Sequence, residues 1–114
     1  MCARLKIDGR IYRPNEKVPT TAGGETAPLP KLWDGFARRE SRQMWDRKGA
    51  KPSVIHADGF AERNTETKAL IWDESPAEIE ALVLGDTVRV VTREATAQEA
   101  ARFGHPRMPK TLEI

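Results

Sequence analysis

The stretch TVRVVT, residues 87–92, decides the fold class of this chain of 114 residues. Five of its six residues are β-branched, and β-branched side chains favour strands because a helix restricts their rotamers. Shortly after it, Thr96 stands where a helix would be capped, and Gly104 stands where the same helix would end. The sequence therefore predicts a secure strand at 87–92 and a short helix at 97–103.

In the rest of the chain, the predicted strands and helices do not alternate regularly as they would in βαβ units. Asp8-Gly9 is a favoured hairpin turn, and Ser75-Pro76 with Glu78 resembles the start of a helix. We therefore expect the α+β class, with residues 1–114 forming one domain. The other predicted elements are strands at 3–7, 10–13, 53–56, 60–62 and 68–72, helices at 38–48 and 76–83, a long loop at 14–31, and a tail at 107–114 of which only the end can pair.

The composition excludes several classes of protein. Charged residues make up 32% and hydrophobic residues 39%, as in globular proteins. The N-terminus lacks the apolar core of a signal peptide, and no apolar stretch is long enough to span a bilayer. One cysteine and two histidines argue against a disulfide framework and a zinc site. We expect a cytoplasmic single domain acting as a monomer, without a metal, a cofactor or a membrane partner.

Charge is distributed unevenly along the chain. Residues 1–52 hold 12 Lys and Arg against 6 Asp and Glu, and residues 53–114 hold 7 against 11. A basic half can follow a phosphate backbone. An ordinary solvated surface with a chance asymmetry explains the same counts equally well.

Cys2 is the first residue that could carry chemistry. Removal of Met1 would leave an α-amino group and a thiol on adjacent carbons. This pair can form a Schiff base with an aldehyde and then close a thiazolidine ring, because the second step is intramolecular. The alternative is that Cys2 is simply a small hydrophobic residue.

His105 and Glu62 are candidates for proton transfer. His105 lies in a stretch stiffened by prolines, and Glu62 follows the Asp58-Gly59 turn, so both side chains could be held in one orientation. A surface histidine and an exposed strand carboxylate are the alternatives. His56 lies in an apolar strand, where core packing or a backbone hydrogen bond is the favoured interpretation.

Aromatic residues interleave with arginines between residues 33 and 45. Trp33 and Phe36 could stack on bases, and Arg38 and Arg39 could contact phosphates in single-stranded nucleic acid. The same aromatics could equally belong to the core, and the same arginines to a solvated helix face.

Four blocks of sequence, in order, resemble a short form of the SRAP (SOS response-associated peptidase) family. That family has Met-Cys-Gly-Arg, Asn-Ala-Arg-x-Glu-Ser/Thr, Ala-Asp-Gly-Phe-x-Glu and His-x-Arg-Met-Pro at the corresponding places. Phe36 replaces the family's asparagine, and Ala3 replaces its glycine. The four blocks here are residues 1–5 (MCARL), 36–41 (FARRES), 57–62 (ADGFAE) and 105–109 (HPRMP).

The resemblance implies a fold, an activity and a set of roles. The fold would be a mainly antiparallel β core with a few short helices. The protein would sense abasic sites in single-stranded DNA during the response to DNA damage, and it would form a covalent thiazolidine link through Cys2. It would be an enzyme, a peptidase that removes its own Met1 and has lyase-like activity on DNA. Cys2, Glu62 and His105 would be catalytic, and Arg4, Arg38 and Arg107 would contact phosphates.

Two other functions remain open. Phe36 in place of the asparagine favours a module that binds single-stranded DNA but has lost catalysis. A small regulatory domain that binds a protein partner is the second alternative. The joint presence of Cys2, Glu62 and His105 argues against it.

Overall fold

The computed structural model describes residues 3–22 and 25–112, and more than half of these lie in strands. Cys2 lies outside the described residues. Two α-helices, α1 (Arg42–Arg47) and α2 (Ala97–Phe103), and a 3₁₀ turn (Arg39–Ser41) accompany the strands. The strands are β1 (Arg4–Ile7), β2 (Arg10–Tyr12), β3 (Lys17–Ala22), β4 (Leu29–Arg38), β5 (Lys51–Ala57), β6 (Gly59–Arg63), β7 (Leu70–Asp73), β8 (Ala77–Leu84), β9 (Thr87–Glu94) and β10 (Arg107–Pro109).

Five of the strands close into a barrel. The larger sheet has the order β10-β9-β4-β3-β5-β8, and β8 also pairs with β9, which completes the ring. β4 and β9 run parallel, and the other pairings of the described strands are antiparallel. Closure leaves no free edge between these five strands, so their backbone groups pair with one another.

A second sheet, with the order β2-β1-β6-β7, packs beside the barrel. One core joins the two layers, and it is built from apolar side chains of β1 and β6 together with those of the barrel and α2. The Phe60 and Phe103 rings stack with their centroids 5.9 Å apart and so connect β6 to α2. The radius of gyration, 13.5 Å, matches the value of about 13 Å expected for one compact domain of this length.

Several predicted elements are confirmed. The strand predicted at 87–92 is β9, and the hairpin around Asp8-Gly9 is β1–β2. Helix α2 covers 97–103 as predicted. Thr96 and Glu99 form a reciprocal capping box at its start, and Gly104 ends it in the left-handed conformation at φ 61°.

The helix predicted at 76–83 is wrong, because this segment is strand β8. The Ser75-Pro76 pattern suggested a helix start. Long-range pairing decides otherwise, since β8 pairs with β5 along its length and with β9 at its end. Ile79, Ala81 and Val83 are buried at the alternating positions of a strand. The chain is therefore mostly β, with a smaller helical share than the α+β prediction implies.

The long loop predicted at 14–31 is also wrong in part. β3 occupies its middle, and β4 begins at Leu29. Pro19 and Pro30 lie opposite each other in the β3–β4 pair. Both lie outside the pairings on the other sides of their strands, because β3 pairs with β5 only at Thr21 and Ala22 and β4 pairs with β9 only from Leu32 onward. Val18, Thr20 and Ala22 alternate into the core.

The tail pairs earlier than predicted. β10 lies against β9 at Arg107–Pro109, and Thr111 forms a single bridge with Ile79. Residues 113 and 114 lie outside the described residues. Neither helix in the described part of the chain has the length and apolar composition needed to span a membrane.

Candidate functional site

A cleft of about 350 Å³ between the two sheets collects residues from all four sequence blocks. Ala3 comes from the first block, just before β1, and Glu62 comes from β6. β4, β9 and the loop after α2 supply the other walls. The lining residues are Ala3, Phe36, Arg38, Glu62, Thr92, His105 and Arg107.

Glu62 is a buried carboxyl group in this cleft. Its residue is only 4% exposed, and burial raises its pKa to about 7. Burial has this effect because a low-dielectric environment disfavours the charged form of an acid. A group with this pKa can both donate and accept a proton near neutral pH. The exposed strand position considered as the alternative is therefore excluded for Glu62.

The turn before β6 fixes the position of Glu62. A Cβ atom on Gly59 would lie 2.8 Å from the backbone oxygen of Asp73, so only glycine fits here without a shift. Asp58 accepts a hydrogen bond at Oδ2 from the backbone N–H of Asp8, at 2.7 Å, which ties this turn to the β1–β2 turn. The block Ala-Asp-Gly-Phe-x-Glu thus has a local structural reason for its glycine and its aspartate.

The loop that carries His105 is held by the two residues that follow β6, Asn64 and Thr65. The Thr65 backbone N–H and hydroxyl both donate to the Gly104 carbonyl oxygen, at 3.0 and 3.1 Å. Asn64 packs closely against Gly104, where a Cβ atom would overlap its side-chain amide. These contacts set the backbone directly before His105.

His105 points its Nε2 edge at Glu62. Nε2 lies 3.7 Å from Glu62 Oε2, and the imidazole is about a quarter exposed. Its Nδ1 lies 2.7 Å from the Arg107 carbonyl oxygen and 3.1 Å from the Arg107 nitrogen. Nδ1 either donates to that oxygen or accepts from that N–H, and the tautomer decides which.

Both tautomers leave the Nε2 edge facing the carboxyl group. With the proton on Nδ1, Nε2 can accept a proton from Glu62; with the proton on Nε2, it can donate towards the carboxylate. A distance of 3.7 Å exceeds a direct hydrogen bond. A small approach or a shared water would connect the two groups, as often occurs when a substrate binds. The pair can therefore exchange protons with a molecule in the cleft.

The guanidinium group of Arg107 is hydrogen-bonded to other residues of the protein. It binds Glu40 through two hydrogen bonds, at 2.8 and 3.1 Å, and also donates to the backbone oxygen and hydroxyl of Thr92. The hydrogen bond from Arg107 holds the pKa of Glu40 below its usual value. Arg107 therefore ties the 3₁₀ turn to β9, which does not favour the phosphate contact expected from the sequence.

Arg38 and Phe36 form the opposite wall. Both belong to β4, where Arg38 is exposed and Phe36 is half-buried. The adjacent Arg39 is exposed outside the cleft. Arg4 is half-buried in β1 and donates to the Ala3 carbonyl oxygen, and it does not line the cleft.

Two placements correct the sequence predictions. Trp33 is fully buried, and its Nε1 donates to the Gly35 carbonyl oxygen, so its ring cannot stack on a base. It packs edge-to-face on Phe36 instead. His56 is exposed rather than packed in the core, and its Nδ1 lies 3.5 Å from Glu78 Oε1.

The sequence did not mark three residues that shape the site. Thr92 is a buried polar residue at the far end of β9, and Asn64 and Thr65 hold the loop before His105. The sequence pattern could have predicted burial of Thr92, because Thr92 follows Val88 and Val90 at alternating positions of β9, and both valines face inward. No local signal marks Asn64 and Thr65, since their partner Gly104 is distant in sequence.

Cys2 itself lies outside the described residues, but Ala3, the residue bonded to it, is buried and lines the cleft. No protein-family model matches this chain, and no curated protein matches its sequence. The functional interpretation therefore depends on the motifs and on the geometry of the cleft.

Proposed function

We propose that this chain binds abasic sites in single-stranded DNA and links to them covalently through Cys2, after removing its own Met1. One observation carries the proposal: the buried Glu62, with a pKa of about 7, faces His105 in a cleft that residues of all four SRAP-like blocks line. Ala3 in the cleft wall is directly bonded to the proposed nucleophile.

The proposed reaction joins one aldehyde to two groups of Cys2. The α-amino nitrogen adds to the aldehyde carbon of the ring-opened sugar, and one water leaves as the imine forms. The thiol sulfur then bonds to the imine carbon, and its proton passes to the nitrogen. The product is a thiazolidine, and the net loss is one water. Adjacency of the two nucleophiles makes the second step intramolecular and fast.

Glu62 and His105 divide the proton transfers. The sugar ring opens when its ring oxygen gains a proton, and the imine forms when the departing hydroxyl gains a proton. His105, at the partly exposed side of the pair, serves the ring oxygen. Glu62 is the buried partner, and burial keeps a large share of it protonated near neutral pH, so it serves the departing water.

Arg38 and Phe36 supply the contacts to the DNA strand. The exposed Arg38 guanidinium at the rim contacts a phosphate, and the half-buried Phe36 ring packs against the sugar or a neighbouring base. Arg107 serves as a positioning residue, because its guanidinium is bound to Glu40 and its backbone touches His105 Nδ1.

Crosslinking on a denaturing gel tests the proposal. Wild-type protein mixed with abasic single-stranded DNA should give a band that survives heating without a reducing agent. Cys2→Ser should lose it, because an oxygen nucleophile closes a far less stable ring. A Cys2→Ser adduct of equal heat stability would refute the role of the thiol.

Two further variants test the proton-transfer pair. His105→Ala and Glu62→Gln should each slow crosslinking at least tenfold, which corresponds to about 1.4 kcal/mol in the barrier. Binding to undamaged DNA should stay nearly unchanged. His56→Ala is the matched control for His105, because His56 is exposed outside the cleft. Unchanged rates in both cleft variants would refute the catalytic roles.

A second candidate function rests on Phe36. This apolar ring occupies the cleft wall at the place of the family's asparagine, so the cleft could hold a nucleotide without supporting the reaction. That function predicts binding to single-stranded DNA without any heat-stable adduct in the same gel assay.

A further inference from the structure

A second pocket of about 210 Å³ lies directly beside the cleft and is strongly basic. Four cationic side chains line it: Arg38 from β4, Arg39 from the 3₁₀ turn, Arg42 from α1, and Lys110 just after β10. Leucine and valine side chains contribute to its lining. Aromatic side chains are absent from this lining in the described part of the chain, so the pocket offers charge rather than stacking.

Carboxylates offset only part of this positive charge. Glu80 lines the pocket and pairs with Lys110, and Asp46 pairs with Arg42 at 3.0 Å. Neither Arg38 nor Arg39 has a carboxylate within 4.0 Å among residues 3–22 and 25–112. The pocket therefore keeps an excess of cations: Arg38 and Arg39 form no ion pair there, and Glu40 acts on Arg38 only at longer range.

Arg38 connects this pocket to the cleft, because it lines both. A DNA strand that passes from the cleft over Arg38 enters the pocket that Arg42 and Lys110 also line. Arginine guanidinium groups match the geometry of phosphate oxygens, and a lysine ammonium supplies a further point charge. Arg38 thus makes one continuous surface of the cleft, where the reaction would occur, and the pocket, where the DNA backbone would bind.

We propose that the pocket formed by Arg38, Arg39, Arg42 and Lys110 binds a backbone phosphate diester of the DNA strand whose damaged nucleotide occupies the cleft. Arg42 and Lys110 lie outside all four sequence blocks, so they are phosphate-binding residues that the motifs do not mark. The position of the phosphate relative to the damaged nucleotide on the DNA strand rests on the proposed function. Binding of a phosphate diester in the pocket is independent of the proposed function.

The salt dependence of binding to an undamaged single strand tests the pocket alone. Arg42→Gln/Lys110→Gln removes two cations and leaves Asp46 and Glu80 without their partners beside the pocket. It should therefore reduce the slope of log affinity against log salt concentration by about 0.7 to 1.4, the change expected for one or two lost phosphate contacts. Arg13→Gln/Arg47→Gln removes the same charge from exposed positions outside the pocket and is the matched control. Melting curves check that both double variants fold.

An unchanged slope in Arg42→Gln/Lys110→Gln, or a change equal to that of the control, would overturn the proposal. Arg42→Lys keeps the charge and should retain most of the slope. Failure of wild-type protein to crosslink abasic DNA, combined with the expected loss of slope, would refute the proposed function and leave the phosphate pocket standing.

The register has its own test. Two oligonucleotides carry a reduced abasic site, which has no aldehyde, with undamaged strand only on its 5′ side or only on its 3′ side. Because the pocket lies on one side of the cleft, the Arg42→Gln/Lys110→Gln variant should bind only one of the two more weakly than wild type does. Equal losses for both oligonucleotides would overturn the assigned path of the strand.

Discussion

Replacing Glu62 by glutamine should make the protein more stable at pH 8 but not at pH 4.5. Burial raises the pKa of Glu62 from 4.5 to about 7. Because the folded protein disfavours the ionised carboxyl group, the contribution of Glu62 to wild-type stability is largest below about pH 4.5. It falls as the pH rises to about 7 and is then constant. This pKa change corresponds to a contribution of about 3 kcal/mol to the free energy of unfolding, because one pKa unit is worth about 1.36 kcal/mol.

The variant removes this pH dependence because glutamine carries no titrating proton. Glu62→Gln should therefore match wild type near pH 4.5 and exceed it by about 3 kcal/mol at pH 8, less any loss in hydrogen bonding. Urea unfolding followed by tryptophan fluorescence, from pH 4.5 to pH 8, measures the difference. Glu66→Gln, which removes an exposed carboxyl group from the nearby loop, is the matched control.

A pH-independent difference between Glu62→Gln and wild type would refute this reasoning. Glu62 would then ionise as readily in the folded protein as in the unfolded chain. Its proposed role as the acid that serves the departing water would fall with it. Titration of the Glu62 carboxyl carbon by NMR reads the same pKa directly and should give a midpoint near 7.

Two further predictions concern the supports of the site. Gly104→Ala should destabilise the fold by about 2 kcal/mol or more in thermal unfolding, because φ is positive and the added Cβ meets Asn64. Gly85→Ala has a similar φ but open space, so a loss as large there would contradict the role of the Asn64 contact. Arg107→Gln should return the pKa of Glu40 towards its usual value, since the guanidinium lowers it. An NMR titration in which that pKa stays low would contradict the assigned ion pair.

Local signals in the sequence predicted the parts of the fold that local physics decides. The β-branched run at 87–92 is strand β9, and the Thr96 to Gly104 unit is a helix with the predicted start and end. Both depend on rotamer preferences and on caps that lie within a few residues of each other. Glu62 and His105, which the sequence offers as proton-transfer candidates, line the same cleft.

Long-range contacts decided what the sequence could not reveal. Residues 76–83 carry a helix-like start, but pairing with β5 and β9 makes them a strand. The position of Trp33 near arginines suggested that its ring stacks on bases, but in the closed barrel the residue is completely buried. The ion pair between Arg107 and Glu40 joins residues distant in sequence, and it changes Arg107 from an expected phosphate ligand to a support of the site.

The intact mass of the protein, alone and after mixing with abasic single-stranded DNA, shows whether Cys2 forms the covalent link. The free protein should lack Met1. The mixture should contain a covalent product with the mass of that shortened protein plus the DNA, less one water. Retention of Met1 in a crosslinked product, or the absence of any covalent product with a folded protein, would contradict the proposed link through Cys2.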